Sequence, residues 1–223
     1  MMKKKPAPKW ISIGAASAIL FTALSGGSAY AASPFGDLNQ VPEASKIRAL
    51  QQAGLVHGSA DGQFRPQGTL TNAQAIRLVV DMFDLDLGGL QFVRKPEASD
   101  YFPKADDQAW YAEALVIASY NDLDLPKDLD PNAAATRASF VSLLIRAGQN
   151  ESALPVFKLI PVRITDEASI PDGSSGPMQE ALAFGLLELD DQGNIRPNEQ
   201  LTRAAAADIL YRAAVLANVI EEQ

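Results

Sequence analysis

The chain has 223 residues, 19 Lys and Arg against 27 Asp and Glu, a net charge of −8, one His and no Cys. An acidic chain without a basic face is a poor nucleic-acid binder. With no Cys and a single His, disulfides, thiolate chemistry and a zinc site are excluded, and no cofactor is implied.

The first element is an address. Lys3, Lys4, Lys5 and Lys9 make a basic start, Ile11 to Leu24 is mostly apolar or small, and Ala29-Tyr30-Ala31 offers a cleavage site. This layout predicts a secretory signal peptide over 1–31. The apolar run is short for a bilayer span of about 20 residues, and no other stretch can cross, so no membrane span is expected after cleavage. Without these residues the chain carries 15 basic and 27 acidic side chains, a net of −12.

The rest of the chain is one unit written three times. Pro66, Pro131 and Pro197 each precede a Thr by five residues, at Thr71, Thr136 and Thr202, and the prolines lie 65 and 66 residues apart. So regular a period means tandem copies. After each Thr, apolar residues fall at offsets 4, 7, 8 and 11, with the first copy giving Ala75, Leu78, Val79 and Met82. That is a helix with one buried stripe, and the Thr stands where an N-cap belongs. A second helix precedes each Pro: Ala44 to Ala53 stopping at Gly54, Trp110 to Tyr120 stopping at Asn121, and Gly176 to Phe184 stopping at Gly185. Gly at such a stop suits a left-handed turn.

These elements divide the chain into repeat 1 at 33–86, a linker at 87–98, repeat 2 at 99–149, an apolar linker at 150–163, repeat 3 at 164–218 and a tail at 219–223. A helix-loop-helix unit cannot bury its stripe alone, so the copies must pack on one another. The expected fold is mainly α, with approximate threefold internal symmetry around a helical core. The connector Leu154 to Pro161 is too apolar for a free linker and is expected to pack along the body.

At this point the residues carry a resemblance. Phe35-x-Asp37, then Gly54-Leu55-Val56-x-Gly58-x-x-Asp61-Gly62-x-Phe64-x-Pro66, Trp110-Tyr111, Ala135-Thr136-Arg137-Ala138 and Leu201-Thr202-Arg203-Ala204 resemble the S-layer homology (SLH) repeat. The resemblance spans about residues 35–217 and implies a three-pronged helical spindle that anchors an exported protein to a bacterial cell wall. The implied ligand is a secondary cell-wall polysaccharide bearing a pyruvate ketal, held in grooves between prongs; the implied place is the wall or S-layer.

An Arg just after a helix N-cap offers a planar fork to a carboxylate beside the positive end of the helix. Arg137 and Arg203 are therefore the candidate ligand residues, behind Thr136 and Thr202, with the N–H groups of Ala138 and Ala204 adding to the site. The same arginines could instead pair with an acid between repeats. Trp110 is either a sugar platform or part of the core. Asp37, Asp100 and Asp166 either accept from sugar hydroxyls or cap the following turn.

The copies also depart from the family pattern. Asn72 stands where the first copy's Arg belongs, Gln74, Ser139 and Ala205 replace the closing Glu of the signature, Leu189 aligns with Gly58, and the middle copy lacks the Asp-Gly-x-Phe loop. At most two competent grooves are expected. The acidic run Asp122 to Asp130 lacks the Gly and terminal Glu of a calcium loop and reads as a solvated loop. No nucleophile or carboxylate pair stands out, so no enzyme is expected. The alternative function is an interaction protein whose altered grooves hold an envelope protein partner, with Leu154 to Pro161 as docking strip.

Overall fold

The computed structural model describes residues 35–156 and 158–222; the signal peptide expected over 1–31 lies outside them. Among the described residues there are six α-helices: α1 (Ala44–Gln52), α2 (Asn72–Met82), α3 (Ala112–Tyr120), α4 (Arg137–Asn150), α5 (Ser175–Ala183) and α6 (Arg203–Leu216). There is no sheet among them, only the isolated bridges Thr69 with Thr202, Thr71 with Ala134 and Thr136 with Gln200.

Each long helix begins as its Thr dictates. The hydroxyl oxygens of Thr71, Thr136 and Thr202 accept from the N–H of Gln74, Ser139 and Ala205. Gln74 and Ser139 return the bond to the backbone of the capping Thr, so the residues replacing the family's Glu still close a capping box in two copies. Every helix is followed by a left-handed residue: Gly54, Asp84, Asp122, Ser152, Gly185 and Asn218. In the middle copy that residue is Asp122 rather than Asn121. Asn121 caps differently, its amide donating to Ile117 O at 2.9 Å and to Asp86 O at 2.8 Å.

The copies pack on one another, as their apolar stripes require. Helix α1 packs on α6, α3 on α2 and α5 on α4. Each first helix thus lies against the second helix of the preceding copy, and α1 with α6 joins the two ends of the repeat array. The backbone repeats this cyclic order. Leu70 N donates to Leu201 O, Leu201 N to Ala135 O and Ala135 N back to Leu70 O, at 2.9, 3.0 and 2.8 Å. Around this closed ring, Leu70, Ala135 and Leu201 are 2% exposed or less, and the helices bury Ile76, Phe140, Leu144, Ile209 and Leu210 behind them.

The ring also consumes the helix N-termini. Asn72 and Ala73 donate to the carbonyls of Ala133 and Pro131, Arg137 and Ala138 to those of Glu199 and Pro197, and Arg203 and Ala204 to those of Gly68 and Pro66. The N–H groups of Ala138 and Ala204, expected to add to an anion site, are therefore bonded into the next copy. The orphan donors of a helix start need partners, and the neighbouring loop supplies them.

The connector at 150–163 also differs from expectation. Leu154 is buried because Gly148 leaves it room: a Cβ there would lie 2.5 Å from the Leu154 side chain. Beyond it the segment leaves the body, with Val156 98% and Ile160 85% exposed. It is caught again at Val162, whose N–H and carbonyl both bond the Gln179 amide at 2.8 Å.

Candidate functional site

The cyclic packing brings residues from all three copies to one groove of about 410 Å³. Copy 1 contributes the loop His57 to Ser59, together with Phe64, Gln74 and Arg77; copy 2 contributes Trp110, and copy 3 Arg203. The loop rides close over Phe35, since a Cβ at Gly58 would come within 2.6 Å of that ring.

Arg203 enters from the start of α6 and is fixed by the neighbouring copy. Its Nε donates to Phe64 O at 2.7 Å, its Nη2 donates to His57 O at 3.0 Å, and the guanidinium lies 4.6 Å from the centre of the Phe64 ring. Burial lowers the pKa of this group, with the more distant Asp37 acting the other way; an arginine nonetheless stays charged. Among the described residues no carboxylate stands within ion-pair distance of it. Five N–H donors with two in use leave three for a ligand. The geometry amounts to a fixed cation in the wall of the groove with donors to spare.

Arg137 holds the corresponding place between copies 2 and 3 and is spent differently. Its Nη2 donates to Glu199 at 2.7 Å and its Nε to Arg196 O at 3.3 Å, with 21% of the side chain accessible. Of the two roles open to these arginines in the sequence, Arg137 takes the ion pair. Arg212 on α6 stands 2.7 Å from Glu188 and 3.2 Å from Asp208, which also pairs with Lys46 of α1, so an ion cluster joins α1 and α6.

Trp110 is 59% exposed, with Tyr111 edge-on at 5.6 Å. The helix expected to start at Trp110 begins two residues later, because residues before it form turns held by Asp106, whose side chain accepts from Gln108 N and whose carbonyl accepts from Ala109 N. That delay keeps the indole out of the core.

The three aspartates do not share one role. Asp37 accepts from Phe64 N and Arg65 N at 2.9 and 2.6 Å, and Asp166 from Ile195 N and Arg196 N, both at 2.9 Å. Each thereby holds a left-handed residue, Arg65 or Arg196, just ahead of the repeat's Pro. Burial opposes ionisation of Asp37, and the two N–H groups outweigh it to hold its carboxyl below the ordinary range. Asp100 instead accepts from Glu97 N at 2.9 Å and pairs with Arg94 at 2.7 Å, and its carboxyl is also lowered, first by Arg94. Thr136 and Thr202 serve as helix caps.

Sequence reasoning missed the other groove-lining groups. Gln74, Arg77 and the His57 carbonyl enter only through the fold, although Gln74 and Arg77 stand at the first turns of a capped helix and so beside any site at its start. No group of His, Asp and Glu among the described residues is placed to hold a metal ion.

The model of the S-layer homology domain matches residues 34–76 and 163–207, the first and third copies. The middle copy is the one whose loop is three residues shorter between the left-handed helix stop and the Pro. The chain is similar to the surface-layer 125 kDa protein of Lysinibacillus sphaericus, 23% identical over 220 residues that cover 95% of this chain and 17% of that protein. It is also 24% identical over 180 residues to exoglucanase XynX of Acetivibrio thermocellus, covering 79% of this chain and 16% of the relative. An amylopullulanase of Thermoanaerobacterium thermosulfurigenes is 23% identical over 179 residues, covering 79% of this chain and 9% of the relative. The chain thus spans less than a fifth of the length of each of these relatives.

Proposed function

From a chain that carries S-layer homology domains at residues 34–76 and 163–207, we propose a non-catalytic cell-wall anchoring module that grips an anionic secondary wall polysaccharide in the groove of Arg203 and Trp110. The family and the surface-layer relative point to the cell surface. No helix among the described residues is long and apolar enough to cross a membrane.

The observation that carries this reading is the state of Arg203. A guanidinium bonded to two backbone carbonyls, stacked on Phe64 and lacking a carboxylate among the described residues is a charge held ready for an outside partner. A ketal carboxylate presents two oxygens to such a fork, and each charge-assisted bond contributes about 1.5–3 kcal/mol. The exposed indole of Trp110 lines the same groove and offers a face to a sugar ring. Support comes from the fork; the helix N-terminus behind it has no free N–H to add at Ala204.

The test is co-sedimentation of the protein with wall sacculi before and after their secondary polysaccharide is stripped. Pelleting that is lost on stripping is the expected result. A protein that stays in solution with intact walls would refute the reading. In that case the second reading takes over, a protein partner at the envelope seated on the exposed Val156 and Ile160.

A further inference from the structure

The chain holds a single histidine, His57, and the fold sets it where two hollows meet. It lines the first groove together with Arg203. It also lines a neighbouring hollow of about 450 Å³ with Arg77, Asp81, Asp84 and Glu113. Its backbone is fixed on both counts that matter. The His57 carbonyl accepts from Arg203 Nη2 at 3.0 Å, and the next residue, Gly58, rides so close over Phe35 that a Cβ would lie 2.6 Å from the ring. The residue is exposed, and among the described residues its imidazole has no hydrogen-bond partner. A pinned backbone thus carries an uncommitted imidazole beside the groove's one unpaired guanidinium.

The charges around it give that imidazole a use. Arg77 is spent on Asp81, its Nε 2.7 Å from both carboxylate oxygens, so the pair adds no net charge to the groove. Arg203 is what remains, and a proton on His57 would set a second cation beside it. Asp84, just past α2, and Glu113 on α3 meet His57 from the other hollow, while Asp37 and Arg65 act on Arg203 with opposite signs. Across both hollows two arginines stand against three carboxylates, so a positive charge at His57 meets no net repulsion. Between about pH 5 and 8, histidine is the side chain that ordinarily changes charge; arginine, aspartate, glutamate and a ketal carboxylate keep theirs.

We propose that His57 makes the grip of the first groove proton-dependent. Protonated, it joins Arg203 as a second cation for an acidic ligand; neutral, it leaves Arg203 alone. The sign follows from linkage. An anion favours the imidazolium, so binding takes up protons, and the added affinity is present below histidine's range and lost as pH rises through it. One added charge near a carboxylate in a wet groove corresponds to about fivefold in Kd. The inference rests on the reading of this groove as a site for an anionic polymer.

The test titrates the untagged full chain with soluble wall polysaccharide at about pH 5.5 and about pH 8, on either side of histidine's range. Calorimetry in two buffers of different ionisation enthalpy reads proton uptake alongside affinity. Wild type should bind about fivefold tighter at the lower pH and take up protons on binding. In His57→Gln the ratio of the two dissociation constants should fall to near one, whatever its absolute affinity, and the uptake should vanish. The same polymer freed of its acidic ketals should show no such ratio with wild type. A lone histidine also permits a measurement on the unaltered protein, since its imidazole proton resonances titrate without overlap. Their midpoint should move up when the polymer is bound. A wild type that binds equally at both pH values would overturn the proposal, as would a His57→Gln protein that keeps the wild-type ratio or a midpoint that does not move. Each of these leaves the anionic site standing. If wild type binds the polymer at neither pH, the anchoring reading fails and the role of His57 fails with it.

Discussion

Replacing Arg203 with Lys keeps the positive charge and removes the fork, which makes it the sharpest probe of the first groove. In the wild type Nε is held by Phe64 O at 2.7 Å and Nη2 by His57 O at 3.0 Å, so the guanidinium is ordered before any ligand arrives. A Lys ammonium is a single point; it can meet one carbonyl or the ligand, but cannot keep the guanidinium's stack on Phe64. Losing one charge-assisted bond to a carboxylate costs about 1.5–3 kcal/mol, or about 10- to 150-fold in Kd. Arg137→Ala is the matched control, because Arg137 is bonded to Glu199 and Arg196 O. It should weaken binding less than about threefold, and Glu199 is exposed enough that the pair adds little to stability. The assay is titration with soluble wall polysaccharide, with thermal melts alongside to separate binding from folding. Equal losses in Arg203→Lys and Arg137→Ala, or an Arg203→Lys protein that binds as wild type, would refute the reasoning.

Two further predictions concern stability. Several carboxyls are held below their ordinary range: Asp37 by the N–H groups of Phe64 and Arg65 against opposing burial, and Asp190 down to about 2, first by the N–H of Asn194. A depressed folded pKa gives stability that is present above the unfolded value near 3.8 and is lost as pH falls through the folded value. The melting temperature should therefore hold until about pH 4 and then fall toward about pH 2, with Asp190→Asn flattening the lower part of that fall; a melting temperature that rises on acidification would contradict it. The second prediction concerns Gly148, where a Cβ would lie 2.5 Å from Leu154 and 3.1 Å from Phe83. Gly148→Ala should destabilise by about 1 kcal/mol, as overpacking of about 1–3 kcal/mol outweighs the gain in helix propensity. In a Leu154→Ala background the same change should become stabilising, and a melting temperature insensitive to that background would argue against the contact.

What could be read from the residues alone was local or periodic. Thr71, Thr136 and Thr202 announced three helix starts because a cap is satisfied within three residues, and Gly54 and Gly185 announced two stops because only a left-handed residue ends the turn there. The apolar stripes required that the copies pack together, and the SLH-like motifs pointed to Arg137 and Arg203 alike, with Trp110 left as either sugar platform or core. The stripes did not say which helix covers which. A hydrophobic period identifies a face and carries no label for its partner, so the exchange of α1, α3 and α5 onto the preceding copy, and the closed ring of Leu70, Ala135 and Leu201, came only from the fold. The same holds for the site. Arg137 and Arg203 follow identical Thr caps, yet one faces Glu199 and the other two carbonyls and a ring, because different loops arrive from the next copy. The N–H groups of Ala138 and Ala204 look free in the sequence and are bonded across copies. Which charge is neutralised and which is left for a ligand is a long-range fact, decided when the two ends of the repeat array meet.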